Sequence, residues 1–418
     1  MQRTEAPERR PAPAPEPRPE AAFLLECCRR LGRSDQTGAP PAIPEGADWE
    51  YLLRLASRHK VLASLHRGLR ATPEAAVPTG VAERLGPHVE GTLHRNLLLG
   101  RELVAIMRLL EEAQIPVLAI KGPLWAVAIH GDLAARQFSD LDLLVREEDV
   151  RRTLDVLASL GIAARHGLTP RLWGEYALAS EDGLLKIDLH WRLTPTSQPF
   201  RLGFEDLWRR RTRVRLLGRE LPHLGTEDLL LVLCLYVGKE LWWTPLSYLS
   251  DLAVLMRQRR DADWGEVLRR AEATGARRVT LLALALARDL LAAPVPDGIW
   301  RDRAEEQSVT RLVPEIARQI LKDANAVDWY PSHLAKCRWQ LRVRERWRDG
   351  VRPYLYLPLH AFAPTAKDIE ALPLPSRLAF LHWGTRPLLA LRRSLRRLAP
   401  AAPRTPAPEV TSPPPGRG

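Results

Sequence analysis

The sequence predicts an α+β protein that is mostly helical and contains one small mixed sheet. Apolar residues recur at helical spacing before residue 112 and again after residue 199. Between these regions, short runs rich in Leu, Ile and Val alternate with polar residues at a period of two, as strands do. We therefore expect N-terminal helices, a sheet-containing core at 113–193 and a C-terminal helical domain.

The N-terminal part is predicted to be a helical lead-in without chemistry of its own. Residues 1–20 are rich in proline and lack periodicity, so we expect a disordered tail there and another at 400–418. The lead-in covers 21–112. Within it, Asp48 is expected to cap a helix, and residues 81–112 contain a long amphipathic helix that ends just before the first strand.

The elements of the core at 113–193 follow from short local patterns. An apolar run at 117–120 predicts the first strand, and the proline that opens the next helix is tolerated because its missing N–H costs nothing in a first turn. Gly161 is expected to end a further helix, and residues 162–166 and 176–179 are predicted as strands. Two more strands are predicted in the runs FSDLDLLV and LKIDLHW.

The chain after the core is predicted to be helical, with a domain at 194–327 and a basic, aromatic module at 328–399. In the domain, Lys239 and the two tryptophans after it either line an acceptor pocket or pack between helices. The module interleaves arginine with tryptophan and tyrosine, which is typical of segments that contact an anionic membrane surface or nucleic acid. We expect peripheral membrane contact through this module. Nucleic acid is not expected, because no RNA-binding module is recognisable.

Composition indicates the compartment and the charge of the partners. The 418 residues have a formal net charge of +12, which favours anionic partners unless it reflects only the codon preference of a GC-rich genome. The four cysteines lack metal-site spacing, and the adjacent Cys27 and Cys28 form a poor disulfide pair, so we expect a reduced, cytoplasmic protein. No apolar run has the length of a signal core or a membrane span. The oligomeric state is not indicated.

Three carboxylates stand out in the core. Asp140 and Asp142 lie two apart in a strand-like run, so both point to one face while Leu141 and Leu143 point into the core. They are either solvated edge-strand acids or a buried pair, which would need a cation. If the strand that carries Asp188 lies beside them, the three would form a site for Mg²⁺ or Mn²⁺, as in two-metal phosphoryl transfer.

These motifs resemble the nucleotidyltransferase superfamily related to DNA polymerase beta. They are closer to a bacterial branch usually called uncharacterised nucleotidyltransferases, which has L-K-G, then R-x-x-S-D-h-D-h-L-V, then h-D-L-H-W, where h is apolar. Here the three motifs occur as IKG, as Arg136 followed by SDLDLLV at 139–145, and as IDLHW at 187–191. The wider superfamily usually has Gly-Ser in its first motif, where this chain has Lys121-Gly122. The resemblance covers roughly 45–398.

The resemblance implies an enzyme that moves a nucleoside monophosphate from an NTP to a small-molecule, sugar or peptide acceptor, in a natural-product or polysaccharide pathway. It implies Mg²⁺ (or Mn²⁺) held by the catalytic residues Asp140, Asp142 and Asp188. The implied nucleotide contacts are Lys121, Gly122, Arg136 and Ser139. The alternative is a non-catalytic protein of the same fold, antitoxin-like or a biosynthetic scaffold. Such a copy is expected to lose a metal carboxylate, whereas this chain keeps all three.

Several individual roles stay open from the sequence. Lys121 either contacts the β- and γ-phosphates or pairs with one of the aspartates. Arg136 either contacts the triphosphate or forms a salt bridge with Asp132. His190, two residues after the third aspartate, is either a proton carrier near the metal or a packed histidine. Asp251 is either a paired polar group in an apolar helix or a base that faces the active site.

Overall fold

The computed structural model describes residues 18–32, 40–73, 77–164, 174–198, 200–240, 245–322, 333–363, 372, 378 and 381–386. The chain divides into two compact units, Met1–Leu357 and Pro358–Gly418. All of the elements discussed below as part of the site lie in the first unit. The predicted tail at 400–418 and residues 1–17 of the other lie outside the described residues.

Four helices are described before the sheet: α1 (Pro19–Arg29), α2 (Trp49–Arg58), α3 (Leu62–Arg70) and α4 (Thr79–Glu112). Pro19 and Glu20 are the first residues of α1, so the last two residues of the tail predicted at 1–20 belong to a helix. A proline is favourable in the first turn, and the buried Glu20 accepts a hydrogen bond of 2.9 Å from the backbone N–H of Asp48. Asp48 caps α2 as predicted, since its carboxylate accepts from the N–H of Tyr51 at 2.9 Å.

A mixed five-stranded sheet follows, which confirms the predicted fold class. Its strands are β1 (Val117–Ala119), β2 (Leu141–Val145), β3 (Ile162–Ala164), β4 (Glu175–Ser180) and β5 (Lys186–His190). The spatial order is β1-β2-β5-β4-β3. The β2–β5 pair is parallel, and the other three pairs are antiparallel. Helix α5 (Pro123–His130) follows β1, and α6 (Val150–Ala158) follows β2.

Alternate residues of the sheet belong to two different hydrophobic cores. Leu118 and Leu144 belong to a core shared with the N-terminal helices and the helices after residue 225. Leu141 and Leu143 belong to a second core that the sheet forms with α4. Because side chains alternate along a strand, Asp142 lies on the face of Leu144. The carboxylates therefore lie where the sheet meets the helices of the first core.

The expectation that the chain turns wholly helical after residue 199 is wrong for one stretch. A short helix, α7 (Phe204–Arg209), is followed by a hairpin of β6 (Thr212–Leu216) and β7 (Arg219–His223). Leu217 and Gly218 join the strands with φ values of 48° and 84°. Two positive φ values are what a tight I′ hairpin turn requires, and the alternation in TRVRL provides the strand pattern.

The rest of the first unit is helical, as predicted. Its helices are α8 (Thr226–Glu240), α9 (Leu246–Gln258), α10 (Trp264–Ala273), α11 (Arg277–Leu291), α12 (Arg303–Thr310), α13 (Val313–Ile320), α14 (His333–Val343) and α15 (Trp347–Leu355). The side chain of Lys239 and both neighbouring tryptophans, Trp242 and Trp243, lie outside the described residues. One core includes residues of helices from α1 to α14. The bounds of the predicted segments stay predictions.

Part of the predicted basic module is packed inside the first unit. Arg342 pairs with Glu315 through two contacts of 2.8 and 2.7 Å. Arg344 is buried, with its guanidinium carbon 3.7 Å from the centroid of the Phe200 ring. Helix α16 (Leu357–Phe362) is the described helix at the start of the second unit. None of the described helices is both long enough and apolar enough to cross a membrane.

Candidate functional site

The parallel pairing of β2 with β5 places two of the predicted carboxylates side by side. Asp142 is the direct register partner of Asp188. Asp142 is buried with 4% exposure, and Asp188 is partly buried. Oxygen and nitrogen atoms of Asp142, Asp188 and His190 all lie within 4.8 Å of one another. Asp140 lies one residue before β2 begins, so the strand starts later than predicted and Asp140 stands beside this close cluster.

A cavity of about 100 Å³ collects the predicted residues. Six of the seven predicted site residues line it, namely Lys121, Gly122, Arg136, Asp140, Asp142 and Asp188. Ser139 is exposed and is not among the lining residues, so its nucleotide contact stays a prediction. The wall also contains Lys60, Ser247 and Tyr248, which no sequence motif indicated.

Gly122 makes the sharp turn between β1 and α5. Its φ is +64°, in the region that L side chains rarely adopt, so a glycine is needed here for the backbone alone. The turn leaves Lys121 at the end of β1 and starts α5 at Pro123. The strand-to-helix turn that the first motif predicted is therefore present.

Lys121 pairs with an aspartate, as one of the two roles left open by the sequence requires, and its contact with phosphate stays a prediction. Its Nζ donates to Oδ1 of Asp142 at 2.6 Å and lies 4.6 Å from the centroid of the Tyr236 ring. Burial disfavours the ammonium, but the charge of Asp142 outweighs it and holds the pKa of Lys121 well above its ordinary value. The ammonium of Lys121 therefore provides a positive charge next to Asp142, the most buried carboxylate of the site.

His190 also contacts the carboxylate of Asp142. Its Nε2 lies 3.2 Å from Oδ1 of Asp142, and its Nδ1 lies 3.1 Å from Oε2 of Glu175. Burial lowers the pKa of His190, but hydrogen bonds to the two carboxylates raise it more, so its pKa lies above the ordinary value. Both ring nitrogens face carboxylate oxygens in this arrangement, so we interpret His190 as a residue that orients Asp142.

The two facing carboxylates have opposite pKa shifts. Burial would raise the pKa of Asp142, but Lys121 and His190 outweigh it and hold that pKa well below its usual range. Burial and the charge of Asp142 raise the pKa of Asp188 to about 6. This repulsion is what a bound divalent cation would relieve, and an all-carboxylate oxygen set suits Mg²⁺ or Mn²⁺. The residues present thus fit the implied metal.

The affinity for Mg²⁺ should fall about tenfold per pH unit below about pH 6, because Asp188 must lose its proton before it can bind. Above that pH the carboxylate is already ionised, so the affinity should flatten. Calorimetric titration of Mn²⁺ or Mg²⁺ between pH 5 and 8 measures this. For the Asp188→Asn variant, the plot of metal affinity against pH should show no change of slope near pH 6. A wild-type affinity that stays constant down to pH 5 would contradict the role of Asp188 as a ligand.

Arg136 is held by the helical domain. Its Nε donates to Oδ2 of Asp251 at 2.6 Å, and its guanidinium carbon lies 5.4 Å from the Trp125 ring centroid and 5.5 Å from that of Tyr248. The charge of Asp251 outweighs burial and raises the pKa of Arg136. Arg136 therefore reaches the cavity wall as a fixed, fully charged group.

The alternative partner of Arg136 is excluded. Asp132 pairs instead with Arg67 and accepts from the N–H of Ala134 at 2.8 Å. The loop between them is held by the buried Asn96 of α4, whose Nδ2 donates to the carbonyls of Leu133 at 2.6 Å and Arg136 at 2.7 Å. This anchor fixes the backbone of Arg136 as well as its side chain.

Asp251 is a paired polar group, which answers the question left open by the sequence. Besides Arg136, it contacts Nε2 of His130 at 2.8 Å, and only 1% of it is exposed. Burial would raise the pKa of Asp251, but Arg136 and His130 lower it below its ordinary value. Asp251 is thus an ionised anchor for Arg136 and not a base that faces the substrate.

A larger cavity, of about 300 Å³, lies at the opposite end of β1, between α4 and the β6–β7 hairpin. Two arginines on its wall are engaged locally. Arg211 donates to the carbonyl of Trp208 at 2.7 Å, and Arg213 donates to that of Glu220 at 3.2 Å. We assign the site to the smaller cavity because it alone of the two combines three carboxylates with three basic side chains.

The comparison with known protein families agrees with this geometry. A small mixed sheet with facing aspartates, next to a strand–glycine–helix turn, defines the class of nucleotidyltransferases that the sequence motifs resemble. Residues 45–292 match the model of a family described as "Uncharacterised nucleotidyltransferase", and the chain belongs to that family. Every residue that lines the smaller cavity lies within the matched range. No curated protein and no solved structure matches the chain.

Proposed function

We propose that the protein is a Mg²⁺- or Mn²⁺-dependent enzyme that transfers a nucleoside monophosphate from an NTP to an acceptor hydroxyl and releases pyrophosphate. The observation that carries this is the register of Asp142 opposite Asp188, with Asp140 on the same cavity wall. These carboxylates would hold a divalent cation, which would supply positive charge beside the phosphates of the NTP.

The carboxylates have different parts in the proposed reaction. The divalent cation, when bound, supplies charge neutralisation for the phosphates. Asp142 stays ionised because its pKa is well below the usual range, and with Asp140 it would hold the cation. Asp188, the register partner of Asp142, would complete the ligand set, and its carboxylate would take the proton of the acceptor hydroxyl. The acceptor oxygen then bonds to the α-phosphorus as the bond to pyrophosphate breaks.

The cations of the site offset the negative charge of the triphosphate. Lys121 supplies an ammonium beside Asp142, and Arg136 supplies a guanidinium whose position Asp251 fixes. Fixed positive groups around a phosphoryl centre stabilise charge without reorganising during the reaction. Gly122 lines the same cavity and makes the turn into α5.

The proposed acceptor is a small molecule, sugar or peptide of a natural-product or polysaccharide pathway. The proposed compartment is the cytoplasm, which supplies NTP and Mg²⁺. The four cysteines support this compartment, because all of them are free and buried and such thiols are typical of a reducing environment.

Calorimetric titration with each of the four NTPs, in Mg²⁺ and in EDTA, tests the proposal. Wild type should bind one NTP saturably and only with the metal. The Asp142→Ala variant should lose at least about a hundredfold in affinity, since replacing even an outer-shell residue costs 10–100-fold. The matched control is Asp149→Ala, because Asp149 is also buried and ion-paired, 2.9 Å from Arg152, but does not line the cavity.

Two outcomes would count against the proposal. If folded wild type binds no NTP with Mg²⁺ or Mn²⁺, the non-catalytic protein of the same fold becomes the better explanation. If NTP binds equally well to Asp142→Ala, the nucleotide lies elsewhere on the molecule. Once the donor is known, pyrophosphate release in the presence of candidate hydroxyl acceptors identifies the second substrate.

A further inference from the structure

Lys60 has a backbone conformation that its own residue type does not favour. It follows His59, the C-cap of α2, and has a φ of +55°, in the left-handed region. Its N–H donates to the carbonyl of Ser57 at 3.0 Å, and the N–H of Val61 donates to that of Ala56 at 2.9 Å. This is the usual way to end a helix, and glycine is the usual residue at the left-handed position. The local backbone therefore gives no reason for a lysine.

The position of Lys60 is fixed by its neighbour. The buried His59 accepts from the N–H of Leu246 through Nδ1 at 3.3 Å, and its carbonyl accepts from the N–H of Ser247 at 3.2 Å. Burial and the charge of Arg58 lower the pKa of His59 to about 3, so the ring is neutral and can accept. The end of α2 is thereby attached to the start of α9, the helix that also carries Asp251.

This attachment places Lys60 on the wall of the carboxylate cavity. The other two basic side chains there are engaged, Lys121 with Asp142 and Arg136 with Asp251. Lys60 is exposed, and among the residues that the structure describes no carboxylate lies within ion-pair distance of it. It is thus a basic group that faces the site without a partner in the described part of the chain. Strained backbone of this kind is typical of functional positions.

We propose that Lys60 binds the polyphosphate tail of the nucleotide, which makes the N-terminal helices part of the nucleotide site. The proposal rests on the proposed function and adds a contact that this function does not itself require. It also revises the expectation that the lead-in has no chemistry of its own. A lysine acts on phosphate as a point charge, so the contact favours triphosphate over monophosphate and is indifferent to the base.

The Lys60→Gly variant separates the two explanations for this residue. If Lys60 only ends a helix, glycine fits the backbone better and nothing else changes. If Lys60 binds phosphate, the variant should melt at the same temperature as wild type or higher, while its Kd for the NTP with Mg²⁺ rises about tenfold, the loss expected for one charge-assisted contact. The Kd for inorganic tripolyphosphate with Mg²⁺ should rise by a similar factor. Lys60→Arg should retain most of the affinity.

The matched control is Gln114→Gly. Gln114 follows α4 with the same φ of +55°, and the N–H groups of Gln114 and Ile115 close that helix at 2.9 and 2.8 Å. Gln114 does not line the carboxylate cavity. Its replacement by glycine relieves the same backbone conformation and should leave nucleotide affinity unchanged.

The outcomes are distinguishable from those that test the enzyme assignment. If wild type binds an NTP and Asp142→Ala does not, but Lys60→Gly binds like wild type, the role of Lys60 is refuted and the enzyme assignment stands. A loss for the NTP without a loss for tripolyphosphate also refutes it, because the contact would then be to another part of the nucleotide. If wild type binds no NTP, both proposals fail.

Discussion

Replacing Asp251 by alanine should lower the free energy of unfolding by about 3–5 kcal/mol, the usual effect of removing one partner from a buried ion pair. The loss is large because Arg136 and His130 share this carboxylate, and it is only 1% exposed. Without it, a guanidinium between two aromatic rings has no counter-charge. Unfolding in urea, followed by circular dichroism, measures the change.

Two further variants test the reason for this loss. The double variant Asp251→Ala/Arg136→Met should recover much of the stability, because an apolar replacement of a buried pair is often neutral. If the double variant is as unstable as the sum of its parts, the pair does not carry the effect.

A second measurement distinguishes positioning from stability. Asp251→Asn should weaken NTP binding through Arg136. Asp228→Asn should not, although Asp228 is equally buried and pairs with Arg210 at 2.8 Å and Arg270 at 2.9 Å. Neither of these arginines lines the cavity, whereas Arg136, the partner of Asp251, does.

Replacing Lys121 by methionine should destabilise the metal-free protein by about 3 kcal/mol, and Mg²⁺ should restore most of the loss. The variant leaves Asp142 buried with His190 as its remaining partner, which places the effect at the lower end of the range for a broken buried pair. A divalent cation between Asp142 and Asp188 would provide the missing charge. Urea unfolding in EDTA and in millimolar Mg²⁺ measures both parts of this prediction.

Lys186→Met is the matched control for this change. Lys186 is exposed on β5, and its replacement should alter stability by no more than about 0.5 kcal/mol. Mg²⁺ should stabilise Lys121→Met more than it stabilises wild type, since wild type already has an internal cation. Equal stabilisation of both proteins would mean that the metal does not bind at Asp142.

The parts of the site that the sequence predicted are those with local patterns. The two-residue spacing of Asp140 and Asp142, and the alternation around Asp188, each indicate a strand with acids on one face, and the structure pairs these strands directly. The β6–β7 hairpin also has a local pattern, the alternation in TRVRL, but the helical patterns before and after it led to a prediction of helix. The sequence could not indicate Asp251 as the partner of Arg136, because Asp251 lies 115 residues away and only the tertiary fold brings it near.

Lys60 was missed for a related reason. A lysine after a helix is ordinary in sequence, and its left-handed backbone and its place on the cavity wall exist only in the folded chain. Ser247 and Tyr248 likewise reach the cavity through the docking of α9. Sequence patterns thus indicated the three carboxylates together with Lys121 and Arg136, whereas Lys60 reaches the cavity through contacts between distant segments.

The register of β2 against β5 has a consequence for how the protein reaches its native state. A slip of one residue would turn every side chain of one strand to the other face. Asp142 would then enter the core of Leu141 and Leu143, and burying a carboxylate without a partner is strongly unfavourable. The charge of the Asp142 carboxylate therefore disfavours misaligned sheets during folding. The same charge would hold the cation in the proposed reaction.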